Sequence, residues 1–65
     1  MTNLIGKETV SEYGIGNGSE KGIVVDVEES MFGTLIWIEK ESGNREPFSP
    51  NQIKNELDGV GTRWA

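Results

Sequence analysis

A chain of 65 residues with 11 acidic and 6 basic side chains, net charge −5, is one small domain near the lower size limit for folding without a disulfide or metal. It has no cysteine and no histidine, which excludes a disulfide framework and the usual zinc sites and removes the commonest general base and the thiol nucleophile. The acidic balance opposes long-range attraction to DNA, RNA or an anionic membrane. No apolar run approaches the ~20 residues of a membrane helix, and Met1 to Lys7 lacks the apolar stretch of a signal peptide. Together with the missing cysteines, these features predict a soluble cytoplasmic protein.

Ile5 to Tyr13 alternates weakly through Val10 and Tyr13 and is predicted as a first strand. The segment Gly14-Ile15-Gly16-Asn17-Gly18-Ser19-Glu20-Lys21-Gly22 is rich in glycine and reads as a loop. Ile23-Val24-Val25-Asp26-Val27 is a β-branched run with strong strand preference. After a turn over Glu28 to Phe32 comes Gly33-Thr34-Leu35-Ile36-Trp37-Ile38-Glu39, a strand apolar on both faces, continuing to Lys40. Glu41-Ser42-Gly43 is predicted as a three-residue hairpin loop with Gly43 left-handed. Arg45 to Phe48 returns as an edge strand, because Pro47 cannot donate to a ladder.

Ser49-Pro50 starts a helical turn, a hydroxyl cap followed by proline at the first position. Ile53 and Leu57 fall on one face of it, and Asp58-Gly59 stops it. Gly59 to Ala65 is either a final short strand ending in Trp64 or a loose tail. The expected domain is the whole chain, with its core in 9–57 and looser ends at 1–6 and 60–65.

A strand 2–3 turn from Glu28 to Gly33 sets Val27 against Thr34, Val25 against Ile36 and Ile23 against Ile38. The Glu41-Ser42-Gly43 loop sets Ile36 against Phe48, Trp37 against Pro47, Ile38 against Glu46 and Glu39 against Arg45. Both registers give one core face: Ile23, Val25, Val27, Ile36, Ile38 and Phe48. The opposite face collects Val24, Leu35, Trp37 and Pro47, bordered by Asp26 and the Glu39/Arg45 pair. An apolar centre with a charged rim is the anatomy of a contact surface, and Trp and Arg are enriched at binding hot spots. The competing account is that an end of the chain folds over this face and completes a barrel.

With the strands placed, Thr9 to Lys54 resembles a KOW- or Tudor-type SH3-like barrel, a domain of transcription elongation factors, ribosomal proteins and some helicase extensions. The residues that carry the likeness are Val10 with Gly14, then Gly22-Ile23-Val24-Val25-Asp26-Val27 as the KOW glycine and its apolar strand. Leu35-Ile36-Trp37-Ile38, the Gly43 hairpin and Phe48-Ser49-Pro50-Asn51-Gln52-Ile53 follow. The resemblance implies an all-β, five-stranded SH3-like barrel with a short helical turn before the last strand. KOW domains that bind nucleic acid present basic loops, whereas Glu20, Glu28, Glu29, Glu41 and Glu46 occupy these turns and strand ends. The chain also looks like the small acidic accessory proteins of bacteriophages.

Few residues suggest chemistry. The Gly14 to Gly18 loop leads into a strand and lacks a Gly-Lys-Ser/Thr ending, so it does not read as a phosphate cradle. Asp26, Glu28, Glu29, Glu39, Glu41 and Glu46 match no calcium loop and read as solvated acidic surface. Tyr13 and Phe32 border loops and are candidates for an aromatic pocket of the Tudor kind. Trp64 is either a core plug or an exposed anchor. No catalytic residue, metal or cofactor is assigned.

The sequence therefore predicts a non-enzymatic interaction module that docks on a larger protein through Val24, Leu35, Trp37, Pro47, Glu39 and Arg45, with homodimerisation as the competing assembly. The alternatives are a KOW-like nucleic-acid-binding domain using Lys7, Lys21, Lys40, Arg45, Lys54 and Arg63, which the net charge opposes, and an acidic DNA mimic.

Overall fold

The structure, a computed structural model, describes residues 4–14, 16–56 and 59–65. Among them are six strands: β1 (Glu8–Glu12), β2 (Ser19–Ser30), β3 (Gly33–Lys40), β4 (Arg45–Phe48), β5 (Ile53–Lys54) and β6 (Gly61–Trp64). They form one sheet in the order β4-β3-β2-β1-β6-β5. The all-β expectation holds. The architecture is a curled sheet of six strands, with β4 and β5 as its two unjoined edges, rather than a closed barrel of five.

The β3–β4 register is the expected one: Ile36 faces Phe48, Trp37 faces Pro47, Ile38 faces Glu46 and Glu39 faces Arg45. A three-residue loop fixes it, with Gly43 at φ +93° and its N–H donating to the Lys40 carbonyl at 2.8 Å.

The β2–β3 register differs from expectation. Ser30 pairs with Gly33, so the turn is the two residues Met31 and Phe32, and Val27 faces Ile36 instead of Thr34. Farther along, the pairing shifts between Val24 and Asp26, leaving Val25 as an extra residue, and Val24 faces Ile38. A one-residue insertion turns the following side chains over to the other side of the sheet. Val24 is consequently buried at 1% exposure, whereas Ile23, expected in the core, is 40% exposed.

The core is Val24, Ile36, Ile38 and Ile53, with Leu4, Val27, Phe48 and Trp64 packed against it. Trp64 is thus a partly buried part of the packing, with the Lys7 ammonium 4.9 Å from its ring centroid. Gly22 faces inward beside Val24, where a Cβ would lie 2.7 Å from Ile38 Cγ2 and 2.9 Å from Thr9 Oγ1. On β1, Thr9 and Ser11 also face in, and the Ser11 and Thr62 hydroxyls are hydrogen-bonded at 3.0 Å. The buried Thr9 hydroxyl has no partner among the described residues.

Pro50–Gln52 forms a single 3₁₀ turn, closed by the Gln52 N–H donating to the Ser49 carbonyl at 3.0 Å and the Ser49 N–H donating to Gln52 Oε1 at 2.8 Å. The turn stops there, and Ile53 enters the core as a strand residue, not as one face of a longer helix. Leu57 and Asp58 lie outside the described residues, as does Ile15. The glycine-rich loop is shorter than expected, since β2 already begins at Ser19 and Tyr13 N–H donates to the Gly18 carbonyl at 3.1 Å. The terminal segment is no loose tail: β6 pairs with β1 on one side and, in parallel, with β5 on the other.

Two substitutions test this core from opposite directions. Gly22→Ala is expected to destabilise by about 1–3 kcal/mol through overpacking. Thr9→Val removes a buried unpaired hydroxyl and is expected to stabilise by about 1 kcal/mol. Urea unfolding followed by circular dichroism measures both, and an unchanged Gly22→Ala midpoint contradicts the inward placement of Gly22.

Candidate functional site

The outward face of β2–β3–β4 is set by the alternation of β3. Ile36 and Ile38 point into the core, so Leu35, Trp37 and Glu39 point away from it. The registers then line up their neighbours: Glu28 beside Leu35, Asp26 and Pro47 on either side of Trp37, and Ile23 and Arg45 on either side of Glu39. Arg45 Nε donates to Glu39 Oε1 at 3.0 Å across an exposed pair. Asp26 Oδ1 accepts the Val27 N–H at 2.9 Å, tying down the strand just past the bulge.

Of the six expected face residues, Leu35, Trp37, Pro47, Glu39 and Arg45 lie together here, the first two half-buried and Pro47 exposed. Val24 does not; the bulge sends it into the core and puts Ile23 on the face in its place. The strip is therefore Ile23, Leu35, Trp37 and Pro47, rimmed by Asp26, Glu28, Glu39 and Arg45. Beside it, Glu8, Lys21, Ile23, Glu39, Lys40 and Glu41 border an open hollow of about 390 Å³. Among the described residues no three His, Cys, Asp or Glu side chains are grouped to hold a metal ion.

Tyr13 and Phe32 form no joint pocket. Tyr13 OH donates to Glu20 Oε2 at 2.9 Å near the start of β2, whereas Phe32 lies beyond Ser30 at its far end. Ten strand residues between those points span roughly 30 Å. Tyr13 instead joins a polar network at one end of the core. Lys40 Nζ donates to Tyr13 OH at 3.3 Å and pairs with Glu46, and it lies 5.6 Å and 5.9 Å from the Tyr13 and Phe48 ring centroids. Glu20 Oε1 accepts the Ser42 N–H at 3.1 Å, which joins the start of β2 to the β3–β4 turn.

The network shifts two titrations. The Ser42 N–H, followed by the Tyr13 hydroxyl, holds the Glu20 carboxyl below its ordinary value, because both donate to the charged form. The hydrogen-bonded Glu46 carboxylate raises the Lys40 ammonium above its ordinary value.

The cations are dispersed between two sides of the sheet. Lys40 and Arg45 are paired with Glu46 and Glu39, and Lys7 lies over Trp64. On the outward side, Lys54 adjoins Arg63, and Arg63 and Lys21 flank Val10, so three cations share one row across β5, β6, β1 and β2. Glu8 and Glu12 stand on the same side of β1 as Val10.

The sign of each pKa shift sets the pH dependence. A depressed Glu20 stabilises above the ordinary glutamate range, about 4.3, and that contribution is lost as pH falls through its lower folded value. A raised Lys40 stabilises fully below about 10.4 and loses its contribution as pH rises through its higher folded value. Thermal melting against pH should therefore decline on both sides of a neutral plateau. Glu20→Gln should flatten the acid limb and Lys40→Met the alkaline limb; limbs identical to those of the parent protein contradict the assignment. No helix among the described residues is long and apolar enough to cross a membrane. Comparison with models of known families, with curated proteins and with solved structures finds no match.

Proposed function

We propose that this chain is a non-enzymatic protein-interaction module, a small SH3-like domain that docks on a larger protein through the outward face of β2–β3–β4. The observation that carries this is the Trp37 strip. Leu35 and Trp37 lie on the face opposite the core cluster and remain partly exposed, between exposed Pro47 and Ile23 and within a charged rim. A half-buried tryptophan is held in one orientation by its neighbours and still offers a large apolar surface at small entropic cost. The chain has no cysteine and no histidine, so it lacks the thiol nucleophile and the imidazole that commonly activates a hydroxyl.

Trp37→Ala should lower affinity for the partner about thirtyfold or more, in keeping with the ~2 kcal/mol or more of a hot-spot residue, while the protein still melts cooperatively. Affinity capture with parent and variant baits, followed by sedimentation of the free protein, measures this. Capture that does not depend on Trp37, a stable dimer with no other partner, or complete unfolding of Trp37→Ala overturns the assignment.

One observation favours a second reading, binding of nucleic acid: the row formed by Lys54, Arg63 and Lys21. Fluorescence anisotropy with single- and double-stranded DNA and RNA at low salt decides it. Salt-sensitive binding lost in Arg63→Glu supports this second function, and silence at tens of micromolar protein removes it.

A further inference from the structure

The β2–β3 hairpin extends beyond the rest of the sheet. β1 pairs with β2 only as far as Ile23, and β4 pairs with β3 only from Ile36 to Glu39. The pairs Glu28–Leu35, Glu29–Thr34 and Ser30–Gly33 therefore form a ribbon of two strands, whose tip is Met31-Phe32. The molecule is correspondingly elongated, 38 Å in one direction against 23 and 19 Å in the others.

At that tip Met31 and Phe32 are 90% and 93% exposed, the most exposed large apolar side chains described. The backbone does not call for them: both have negative φ, and the positive φ of this turn, +118°, falls on Gly33. Polar residues would serve such a turn at least as well. The tip is also held in shape. Ser30 Oγ accepts the Phe32 N–H at 3.2 Å and donates to the Gly33 carbonyl at 2.9 Å, and Thr34 Oγ1 donates to Glu29 Oε1 at 2.5 Å. Exposed apolar groups on a fixed turn lose little freedom on binding, which favours affinity. The charge around them has a single sign. The ribbon carries Glu28 and Glu29, and the chain has no basic residue between Lys21 and Lys40.

We propose that the Met31-Phe32 tip is a second contact element, an apolar knob that enters an apolar pocket rimmed by lysine or arginine on a partner protein. The carboxylates of the ribbon complement such a rim, and the same charge repels an anionic lipid surface, a nucleic acid and a second copy of the tip. The tip residues Met31 and Phe32 lie beyond the Trp37 strip, and the two elements share only the Glu28–Leu35 pair at the base of the ribbon.

The test replaces Phe32 with p-benzoylphenylalanine in the full chain, crosslinks in cells of its source, and sequences the crosslinked peptides. Expected is one protein, crosslinked at apolar residues bordered by Lys or Arg. The purified pair should lose at least tenfold in affinity with Phe32→Ser and weaken with salt and with Glu28→Gln plus Glu29→Gln, at unchanged melting temperature. A crosslink pattern no different from that of the same label at exposed Asn55, or a target surface that is acidic, overturns the proposal. So does Phe32-dependent co-sedimentation with phosphatidylcholine or phosphatidylglycerol vesicles, or a Phe32-dependent dimer. Binding lost with Trp37→Ala but untouched by Phe32→Ser leaves only the sheet face standing; the reverse leaves only the tip.

Discussion

The structure depends on the contact between Val24 and Ile38, which one extra residue in β2 makes possible. Without the shift between Val24 and Asp26, β2 would present Ile23 to the core and hold Val24 outside. With it, the two halves of β2 follow different alternations, and the strand bends where it must wrap the core. Gly22 completes the arrangement, since only a residue without a side chain lets Ile38 and Thr9 come so close beside Val24. Among the described residues, the buried apolar side chains Val24, Ile36, Ile38 and Ile53 then join strands from both halves of the chain.

So small a core leaves its ends to polar groups. At one end the Lys40 ammonium pairs with Glu46, donates to Tyr13 OH and lies near the Tyr13 and Phe48 rings. Glu20 reaches the backbone of the neighbouring turn. These interactions are individually weak where they are exposed. Their effect is geometric, because they tie Tyr13 and the start of β2 to the β3–β4 turn.

Much of this was legible in the residues, and the parts that were not have identifiable causes. Gly43 and Pro47 punctuate the β3–β4 hairpin at fixed offsets, so its register could be read directly. The run Ile23-Val24-Val25 has no polar residue to mark a face, and a bulge within three equivalent side chains leaves no trace in composition. The Met31-Phe32 turn is likewise hidden, because neither residue is a usual turn former and the polar run Glu28-Glu29-Ser30 reads as part of a longer turn to Gly33, whereas it is strand. The outward placement of Trp37 and Leu35 is legible because the neighbouring Ile36 and Ile38 claim the core. The same bulge turns Val24 inward, away from the face on which unbroken alternation puts it. The pairing of β6 with both β1 and β5 is a matter of long-range topology, which a segment as short as Gly61 to Trp64 does not encode locally.

That last pairing governs when the molecule can exist. Thr9 meets Trp64 and Val10 meets Arg63, so a strand made among the first residues waits for one made among the last. The β2–β3 and β3–β4 hairpins close from neighbouring sequence, whereas β1–β6 closure must bring together positions separated by nearly the whole 65 residues. During synthesis the inner edge of β1 therefore stays unpaired until residue 64 has been added. The half-made sheet offers an open strand edge throughout that interval.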